Sequence, residues 1–350
     1  MVMQDPKLPD PADKEIYSAI KNNWDSIAKP LDGLGIYEGI IAGIGMIQRT
    51  QRPSVKNRTL LVFLSDNGIV EEGVSQCGPE VTHSVAGAMA ENRSTVCIMA
   101  KEAGVRVCPV DVGMEGSRVE GIMDRRIRNG TRDFLKEPAM TEDEVRTAME
   151  TGYEAVGQLK EEGNDVILLG EMGIGNTTTA TAISCALLGL DPYEVTGRGA
   201  GLSDEKLSHK CDVINEALNR YTYNADDAMK ILTLFGGYDI AAMAGAVKAG
   251  NELNIPIILD GLITLSAALA AERIYTGCSR ACVASHMPKE PVGERIMKEL
   301  LLSAPINAGM ALGEGTGAVL LMPQLDVCMA LYDNGSRFDG IGVMAYERYK

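Results

Sequence analysis

Two carboxylates in this sequence stand at glycine-rich corners. Glu171 lies in GEMGIGNTTTATA, where an apolar run gives way to hydroxyl residues, and Glu314 lies between Gly313 and Gly315 in LGEGTGAVLL. Glycines leave room for other atoms beside a carboxylate, and partial burial raises the pKa of a carboxyl towards the range in which it works as a base. We predict that Glu314 is a general base and that Glu171 contacts a ligand. A helix-capping glutamate beside turn glycines is the alternative for Glu314.

The residues that follow Glu171 have the composition of a helix N-terminus. Asn176, Thr177 and Thr178 form an N-cap run, and a helix that begins there presents free backbone N–H groups and a partial positive charge. Such a corner suits a phosphate or a carboxylate. A nucleotide P-loop is excluded because no lysine follows the last glycine. An ordinary strand-to-helix turn is the alternative.

Two cations stand where they can meet an anionic ligand. Arg198 lies on a glycine-rich loop and Lys210 on the predicted helix that follows it, in TGRGAGLSDEKLSHK. The chain carries a formal net charge of −15, so any anion that it binds needs a local cation. We predict that Lys210 and Arg198 supply that charge. The alternative is that both lie on a solvated helix face.

The elements that position these residues are short apolar runs separated by helical patterns. Runs typical of strands buried on both faces occur at 59–68, 105–113, 164–173, 255–261 and 281–286, and residues 141–163 have helical periodicity. Alternation of this kind predicts an α/β fold, with a Rossmann-like parallel sheet and helices on both faces. Ligands bind at the carboxyl ends of the strands in such a sheet.

Both ends of the chain differ from this middle part. The first 50 residues have helical periodicity and no strand pattern, and residues 317–335 are mostly helical. We predict a small helical domain formed by residues 1–50 with 324–350, beside a large α/β domain formed by residues 51–323.

Composition excludes several classes of protein. The chain has 350 residues, 45% of them hydrophobic, and the excess of acidic residues with no basic stripe argues against binding to nucleic acid. Neither a signal peptide nor an apolar run long enough to span a bilayer is present, which favours a cytosolic protein. The eight cysteines are scattered without a C-x-x-C pair, so we predict reduced thiols and no metal site.

Several blocks, in this order, resemble one enzyme family. The chain contains GEMGIGNTTTATA, GRGAGLSDEKLSHK, GGYDIAAMAGA, ILDGLITLSAALAA, SHMPKEPVG and LGEGTGAVLLMP. Over about residues 30–335 they look like the nicotinate-nucleotide:dimethylbenzimidazole phosphoribosyltransferase family of cobamide biosynthesis. The resemblance implies transfer of the phosphoribosyl group of nicotinate mononucleotide to the base that becomes the lower ligand of a cobamide. It also implies a dimer and no cofactor.

The resemblance assigns roles to residues. Glu314 matches the general base, Glu171 and Lys210 match residues around the nucleotide, and Gly173 matches a backbone contact to the nicotinate carboxylate. Asp260 and Gly261 match the strand end beside the ribose phosphate. The predicted nucleotide-binding set is Gly173, Asn176, Thr177, Thr178, Arg198, Asp260, Gly261, Gly313 and Gly315. The predicted acceptor pocket is Val74, Cys77, Ser84, Val85, Met172 and Leu312.

The sequence departs from the family at the acceptor side. Asn67 stands in place of a histidine, and Ser84, or Val85 if the register slips by one, stands where a glutamine is expected. Pro288 replaces a serine in SHMPKEPVG, and Asp239 stands at the acidic position of GGYD. Loss of a polar partner disfavours an azole acceptor, whereas a less polar pocket still takes a phenol ring.

These departures leave the acceptor and the partner open. Family members that activate phenol or p-cresol act as heterodimers of two related chains, so this chain is interpreted either as a homodimer or as one subunit of such a pair. The predicted acceptor is phenol or p-cresol, with dimethylbenzimidazole as the other candidate. A weakly active or structural partner subunit is the alternative function.

Overall fold

The fold is described from a computed structural model of residues 11–348. Within this range the chain forms one parallel sheet in the order β3-β2-β1-β4-β5-β6. The strands are β1 Arg58–Ser65, β2 Arg106–Gly113, β3 Met123–Asp124, β4 Val166–Met172, β5 Ile257–Leu259 and β6 Cys282–Ala284. Each of the five predicted strand regions overlaps one of them, with β1 beginning one residue before its predicted region, and the α/β prediction is confirmed.

Helices cover both faces of the sheet, as predicted. They are α1 Pro11–Ser26, α2 Ile36–Ile47, α3 Glu80–Ala90, α4 Thr95–Glu102, α5 Glu142–Glu161, α6 Asn176–Leu188, α7 Pro192–Val195, α8 Asp204–Arg220, α9 Ala228–Phe235, α10 Tyr238–Glu252, α11 Leu262–Ile274, α12 Pro291–Glu299 and α13 Thr316–Asn334. Helix α5 falls within the predicted 141–163. It begins with a capping box between Thr141 and Glu144, which satisfies backbone donors at both residues.

Alternation along the central strand divides the core in two. In β1, Leu61 and Phe63 pack with residues of α5, α6, α10 and α11, while Leu60, Val62 and Leu64 pack with residues of α2, α4 and α13. All five side chains are buried. Burial of both faces explains why this strand reads as a continuous apolar run in the sequence.

The two ends of the described chain contact each other. The rings of Trp24 in α1 and Tyr332 in α13 lie 4.9 Å apart in an edge-on arrangement, and Asn23 donates to the carbonyl of Tyr332 at 3.1 Å. Both rings belong to the same buried cluster as Leu60 and Val62 of the sheet. The division into a small and a large domain stays a prediction, and its residues 1–10 and 349–350 lie outside the described part.

Two further observations bear on the sequence predictions. All eight cysteines are free thiols, and most of them are buried, while Cys77 is exposed. Among residues 11–348, no helix combines the length and the apolar composition needed to cross a bilayer.

Candidate active site

Acidic side chains gather where the parallel strands end. Glu171 is the last residue but one of β4, opposite Phe63 of β1 in the register, and Asp260 directly follows β5. Asp66 directly follows β1, and all three carboxylates are buried. Parallel pairing brings these strand ends to one edge of the sheet, so the acids share one low-dielectric environment.

Glu314 lies in a turn whose backbone is left-handed at three successive residues. The φ angles are +83° at Gly313, +60° at Glu314 and +88° at Gly315. A residue with a side chain in this region costs on the order of 1–3 kcal/mol, and such strain concentrates at functional sites. The turn sits against β4, where a Cβ on Gly170 would come within 2.6 Å of the Glu314 carbonyl oxygen. The glycines therefore serve the conformation of the turn and its close approach to β4.

The carboxylate of Glu314 is held by the beginning of α4. Its Oε2 accepts from the backbone N–H of Val96 at 3.3 Å. Burial raises the pKa of Glu314, and hydrogen bonds from Val96 and the Ser94 hydroxyl oppose this rise. Next to it, a Cβ on Gly313 would lie 3.0 Å from Oε1 of Glu171. The two predicted catalytic carboxylates therefore border the same space.

Glu171 shares a hydrogen-bond donor with a second buried acid. The side-chain amide of Asn176 donates to Oε2 of Glu171 and to Oδ2 of Asp239, the latter at 3.2 Å. Burial and the nearby Asp239 raise the pKa of Glu171 to about 8. Asn176 is thus not the N-cap of α6: Gly175 occupies that position, with φ +92°, and having no side chain it makes no side-chain cap bond.

Asp260 fixes the start of α13. Its carboxylate accepts from the backbone N–H groups of Gly317 at 2.7 Å, Gly315 at 3.2 Å and Ala318 at 3.3 Å. Burial nevertheless raises its pKa to about 7. His286 of the altered SHMPKEPVG segment lies 3.9 Å away, and Gly261 approaches the same imidazole ring. Asp260 therefore holds in place the turn that carries Glu314.

Lys210 is a buried cation on the other side of the site. Its Nζ donates to the Thr177 hydroxyl at 2.9 Å and to the Gly197 carbonyl at 3.4 Å, and burial lowers its pKa to about 8. The side chain is 1% exposed. It lines a cavity with Val74, Ser75, Gln76, Gly173, Ile174, Gly175, Asn176, Thr177, Arg198, Gly199, Ala200 and Leu202. Most of the predicted nucleotide-binding residues on β4, α6 and the following loop therefore come together here.

Two predicted residues are placed less simply. Arg198 borders this cavity, but its half-exposed guanidinium is bonded to Asp204 and to the Leu202 carbonyl. Thr178 is fully buried, and its hydroxyl has no hydrogen-bond partner among the described residues. A larger groove of about 330 Å³ lies elsewhere, beside β3 and α5, and none of the predicted site residues lines it.

Comparison with known proteins matches this arrangement to one family. The model of a phosphoribosyltransferase family matches residues 10–343. The chain is 38% identical to nicotinate-nucleotide–dimethylbenzimidazole phosphoribosyltransferase of Clostridium acetobutylicum, over 97% of this chain and 96% of that protein. It is also 38% identical to the protein of the same name from Ruminiclostridium cellulolyticum, over 96% and 95%. The crystal structure of CobT from Thermus thermophilus aligns with a TM-score of 0.88 at 32% identity, covering 94% of this chain and 99% of that one.

The chain belongs to the nicotinate-nucleotide–dimethylbenzimidazole phosphoribosyltransferase family. It is therefore a pentosyltransferase, and the resemblance found in the sequence motifs is confirmed. The similarity extends over nearly the whole chain, including the segments that carry Glu171, Lys210 and Glu314.

The residues predicted for the acceptor pocket of this phosphoribosyltransferase fold are not all brought together. Val85 of α3 and Met172 of β4 are half-buried against the same apolar cluster. Ser84 is exposed, and its hydroxyl donates to the Glu80 carbonyl one turn earlier in α3. Of the two residues considered for the position of the expected glutamine, Val85 therefore faces the interior and Ser84 faces solvent. The remaining three are Val74, which lines the Lys210 cavity, and Cys77 and Leu312, which are exposed.

Two residues near the site of this phosphoribosyltransferase fold were missed by the sequence reasoning. Asp66 accepts from the Glu115 backbone N–H at 2.8 Å, its Oδ1 has no partner within residues 11–348, and burial raises its pKa to about 6. Its position at the end of a predicted strand was a usable signal. Ser94 caps α4 and contacts Glu314, and no local pattern links two residues so distant in the chain.

Proposed function

We propose that the chain transfers the phosphoribosyl group of nicotinate mononucleotide to an aromatic base that becomes the lower ligand of a cobamide. The observation that carries this proposal is the position of Glu314, a partly buried carboxylate in a strained turn beside Glu171. The names of the two clostridial relatives support the same donor.

The charges of the site suit this donor. Nicotinate mononucleotide is anionic at its phosphate and its nicotinate carboxylate, and cationic at the pyridinium nitrogen between them. Lys210 and the N-terminus of α6 offer positive charge on the cavity side, with the backbone of Gly173 between them and β4. Glu171 and Glu314 offer negative charge at the strand ends. The donor therefore lies with one anionic group towards Lys210 and its ribose C1′ towards the carboxylates.

The reaction then needs no metal and no acid at the leaving group. The C1′–N bond breaks with its electron pair passing to the pyridine nitrogen, so nicotinate leaves with a neutral ring. Positive charge develops on the ribose, and the nearby carboxylates stabilise it. The acceptor forms its bond to C1′ from the opposite face, which converts the β-linked donor into an α-riboside phosphate, and Glu314 takes the proton that the acceptor loses. Its raised pKa makes it a stronger base.

We propose a phenolic acceptor, phenol or p-cresol, with dimethylbenzimidazole as the second candidate. Support for the phenol comes from the apolar side chains of Val85 and Met172 and from the Ser84 hydroxyl, which is bound to its own helix. Neither Ser84 nor Val85 replaces the glutamine expected there, so the second nitrogen of an azole loses that partner, and an unpaired polar group in a pocket costs ~1–3 kcal/mol. Support for dimethylbenzimidazole comes from the names of the relatives.

We further propose that the enzyme is cytosolic and acts as a dimer, either with itself or with a related chain. Exposed apolar side chains on adjacent helices, Ile98 of α4 with Leu320 and Val327 of α13, are compatible with such an interface. A weakly active or structural subunit of a heterodimer is the alternative function.

A product assay tests the proposal. The purified chain is incubated with nicotinate mononucleotide and either p-cresol or dimethylbenzimidazole, and products are read by chromatography with mass detection. We expect an α-riboside phosphate and free nicotinate with p-cresol. Product with dimethylbenzimidazole alone would overturn the phenolic acceptor but keep the reaction. No product with either acceptor, restored by adding a related chain, would favour the partner-subunit alternative.

A further inference from the structure

Glu171 and Asp239 form an unusual pair because one neutral side chain serves both. The amide of Asn176 donates to each carboxylate, and a carboxamide nitrogen has only two hydrogens. Oδ1 of Asp239 also accepts from the backbone N–H of Ile240 at 2.9 Å, in the first turn of α10. Asp239 is fully buried and Glu171 nearly so. Both acids therefore lie within reach of one nitrogen, out of contact with bulk water.

The groups around the pair do not compensate two negative charges. Asp66 follows β1, Asp260 follows β5 and Glu314 precedes α13, and all three raise the cost of ionising the pair. Within residues 11–348, neither Glu171 nor Asp239 is in an ion pair with a lysine or arginine. The buried cation Lys210 is bonded instead to Thr177, the residue that follows Asn176 in the chain.

We infer that Glu171 and Asp239 bind one proton between them at neutral pH, and that Asp239 is a positioning residue that fixes the charge Glu171 presents. Like charges this close do not both ionise in a dry site, as in other carboxylate pairs. Burial also raises the pKa of Asp239 to about 7, in line with the rise for Glu171. Under the proposed function, this single charge faces the ribose on which positive charge develops.

The shared proton also explains why Asn176 follows the glycines at this corner. A lysine or arginine there would form an ion pair with the acids and cancel the negative charge, whereas the amide orients both carboxylates and leaves one charge in place. The N-terminus of α6, where the backbone N–H groups of Thr178 and Thr179 donate to the Gly175 carbonyl, adds a fixed partial positive charge.

The test is a titration of the protein without substrate, so that it does not depend on the proposed reaction. Glutamate is labelled with ¹³C at the carboxyl carbon, and the signal of Glu171 is assigned by its absence in Glu171→Gln. We expect a midpoint well above the usual ~4.3 of a glutamate, and a fall of at least about one pH unit in Asp239→Asn, which removes the like charge. Asp226→Asn, on the exposed loop between α8 and α9, is the matched control and leaves the midpoint unchanged.

Two outcomes would overturn the inference: an ordinary midpoint for Glu171 in the wild type, or a raised midpoint that Asp239→Asn does not move. Asp239→Glu keeps the second acid and should keep the raised midpoint, which guards against a folding defect in Asp239→Asn. Kinetics supply the second readout. A purely structural role for Asp239 lowers kcat equally at every pH, whereas the shared proton predicts that Asp239→Asn displaces the pH profile. If the wild type shows no turnover but Glu171 titrates as expected, the proposed function is refuted and the inference about the shared proton still holds.

Discussion

Acidic side chains cluster in two regions of this molecule, and the two clusters are built differently. Between the terminal helices, Glu38 accepts from Lys29 Nζ at 2.6 Å and from Lys21 Nζ at 3.2 Å, and Asp32 pairs with Lys21 and Arg348. We call this group the terminal ion network. At the strand ends, Glu171 and Glu314 are held by an amide and by backbone N–H groups, and no lysine or arginine within residues 11–348 forms an ion pair with either.

The pKa values of the acids follow this difference. The Arg348 and Lys21 side chains hold the pKa of Asp32 well below its usual range, whereas burial and Asp239 raise that of Glu171. A cation beside a carboxylate offsets the cost of burying its charge, while a carboxylate left without a cation in a dry site costs stability and is kept for another reason. Glu38 is as buried as Glu171 but is paired with lysines. The missing cation, rather than acidity or burial, therefore marks the functional cluster.

Replacement of one glutamate in each cluster gives the largest contrast. Glu314→Gln removes the base, and we expect kcat to fall about 10²- to 10⁴-fold with little change in nucleotide binding or stability. Steady-state kinetics and calorimetry of nicotinate mononucleotide binding measure both. Glu38→Gln is the matched change in the terminal ion network: it leaves Lys29 without its anion and Lys21 with Asp32 alone, so it lowers the free energy of unfolding by about 1–3 kcal/mol and leaves kcat unchanged. If the kcat of Glu314→Gln stays within a few fold of that of the wild type, Glu314 is not the base and the two clusters do not differ in function.

The buried Lys210 and the half-buried Lys29 provide the second contrast. Lys210→Met removes the cation beside Thr177, and we expect the KM for nicotinate mononucleotide to rise about 10- to 100-fold, because a hydrogen bond to a charged group contributes ~1.5–3 kcal/mol. Lys206→Met, at an exposed position of the same helix, controls for loss of charge. Lys29→Met should instead lower the melting temperature and leave KM unchanged. Equal KM values for Lys210→Met and Lys206→Met would remove Lys210 from the nucleotide site.

The particular residues show how far sequence reasoning reaches. Strands β1, β2, β4, β5 and β6 were predictable because burial on both faces leaves long aliphatic runs, whereas the two-residue edge strand β3 leaves none. The turn around Glu314 was predictable because its neighbours are glycines, which a left-handed backbone favours.

The contacts that tune those residues were not predictable. Val96 lies 218 residues from Glu314, and Asp239 lies 63 residues from Asn176, so their meeting depends on how the helices pack on the sheet. The inward register of Val85, rather than Ser84, likewise depends on which side of α3 faces the core. A run of hydroxyl residues after Gly175 indicated a helix N-terminus, but only tertiary structure reveals that Asn176 serves two acids there.

The pH dependence of stability should have opposite signs in the two clusters. Because the folded pKa of Glu171 is raised, its contribution is favourable below the unfolded value of ~4.3 and is lost as pH rises to about 8. Glu171→Gln removes this loss, so its free energy of unfolding should rise relative to that of the wild type between those limits, by ~1.4 kcal/mol for each unit of the pKa shift.

Asp32→Asn is the control for that series. The folded pKa of Asp32 is lowered, so its contribution is present above the unfolded value of ~3.9 and is lost as pH falls through the folded pKa. Thermal unfolding from pH 3 to 9 should therefore give Asp32→Asn a lower melting temperature than the wild type at neutral pH. This difference in melting temperature should shrink in acid. If the difference in melting temperature between Glu171→Gln and the wild type stays constant across this range, the pKa of Glu171 is not raised by its environment.

The smallest effect concerns α4, the helix whose N-terminus holds the carboxylate of Glu314. Ser94 accepts from the Cys97 backbone N–H at 3.3 Å as the N-cap of α4, and its hydroxyl also stabilises the charged form of Glu314. Ser94→Ala leaves Glu314 with the Val96 N–H alone, so its pKa should rise and the acid limb of the kcat profile should move to higher pH. We expect a loss of a few fold in kcat at pH 6 that shrinks by pH 8.5, together with ~0.5–2 kcal/mol of lost stability from the cap. Ser203→Ala removes the corresponding cap of α8 and should cost stability without moving the profile, so a shift in both variants would mean that the cap acts through the fold and not through Glu314.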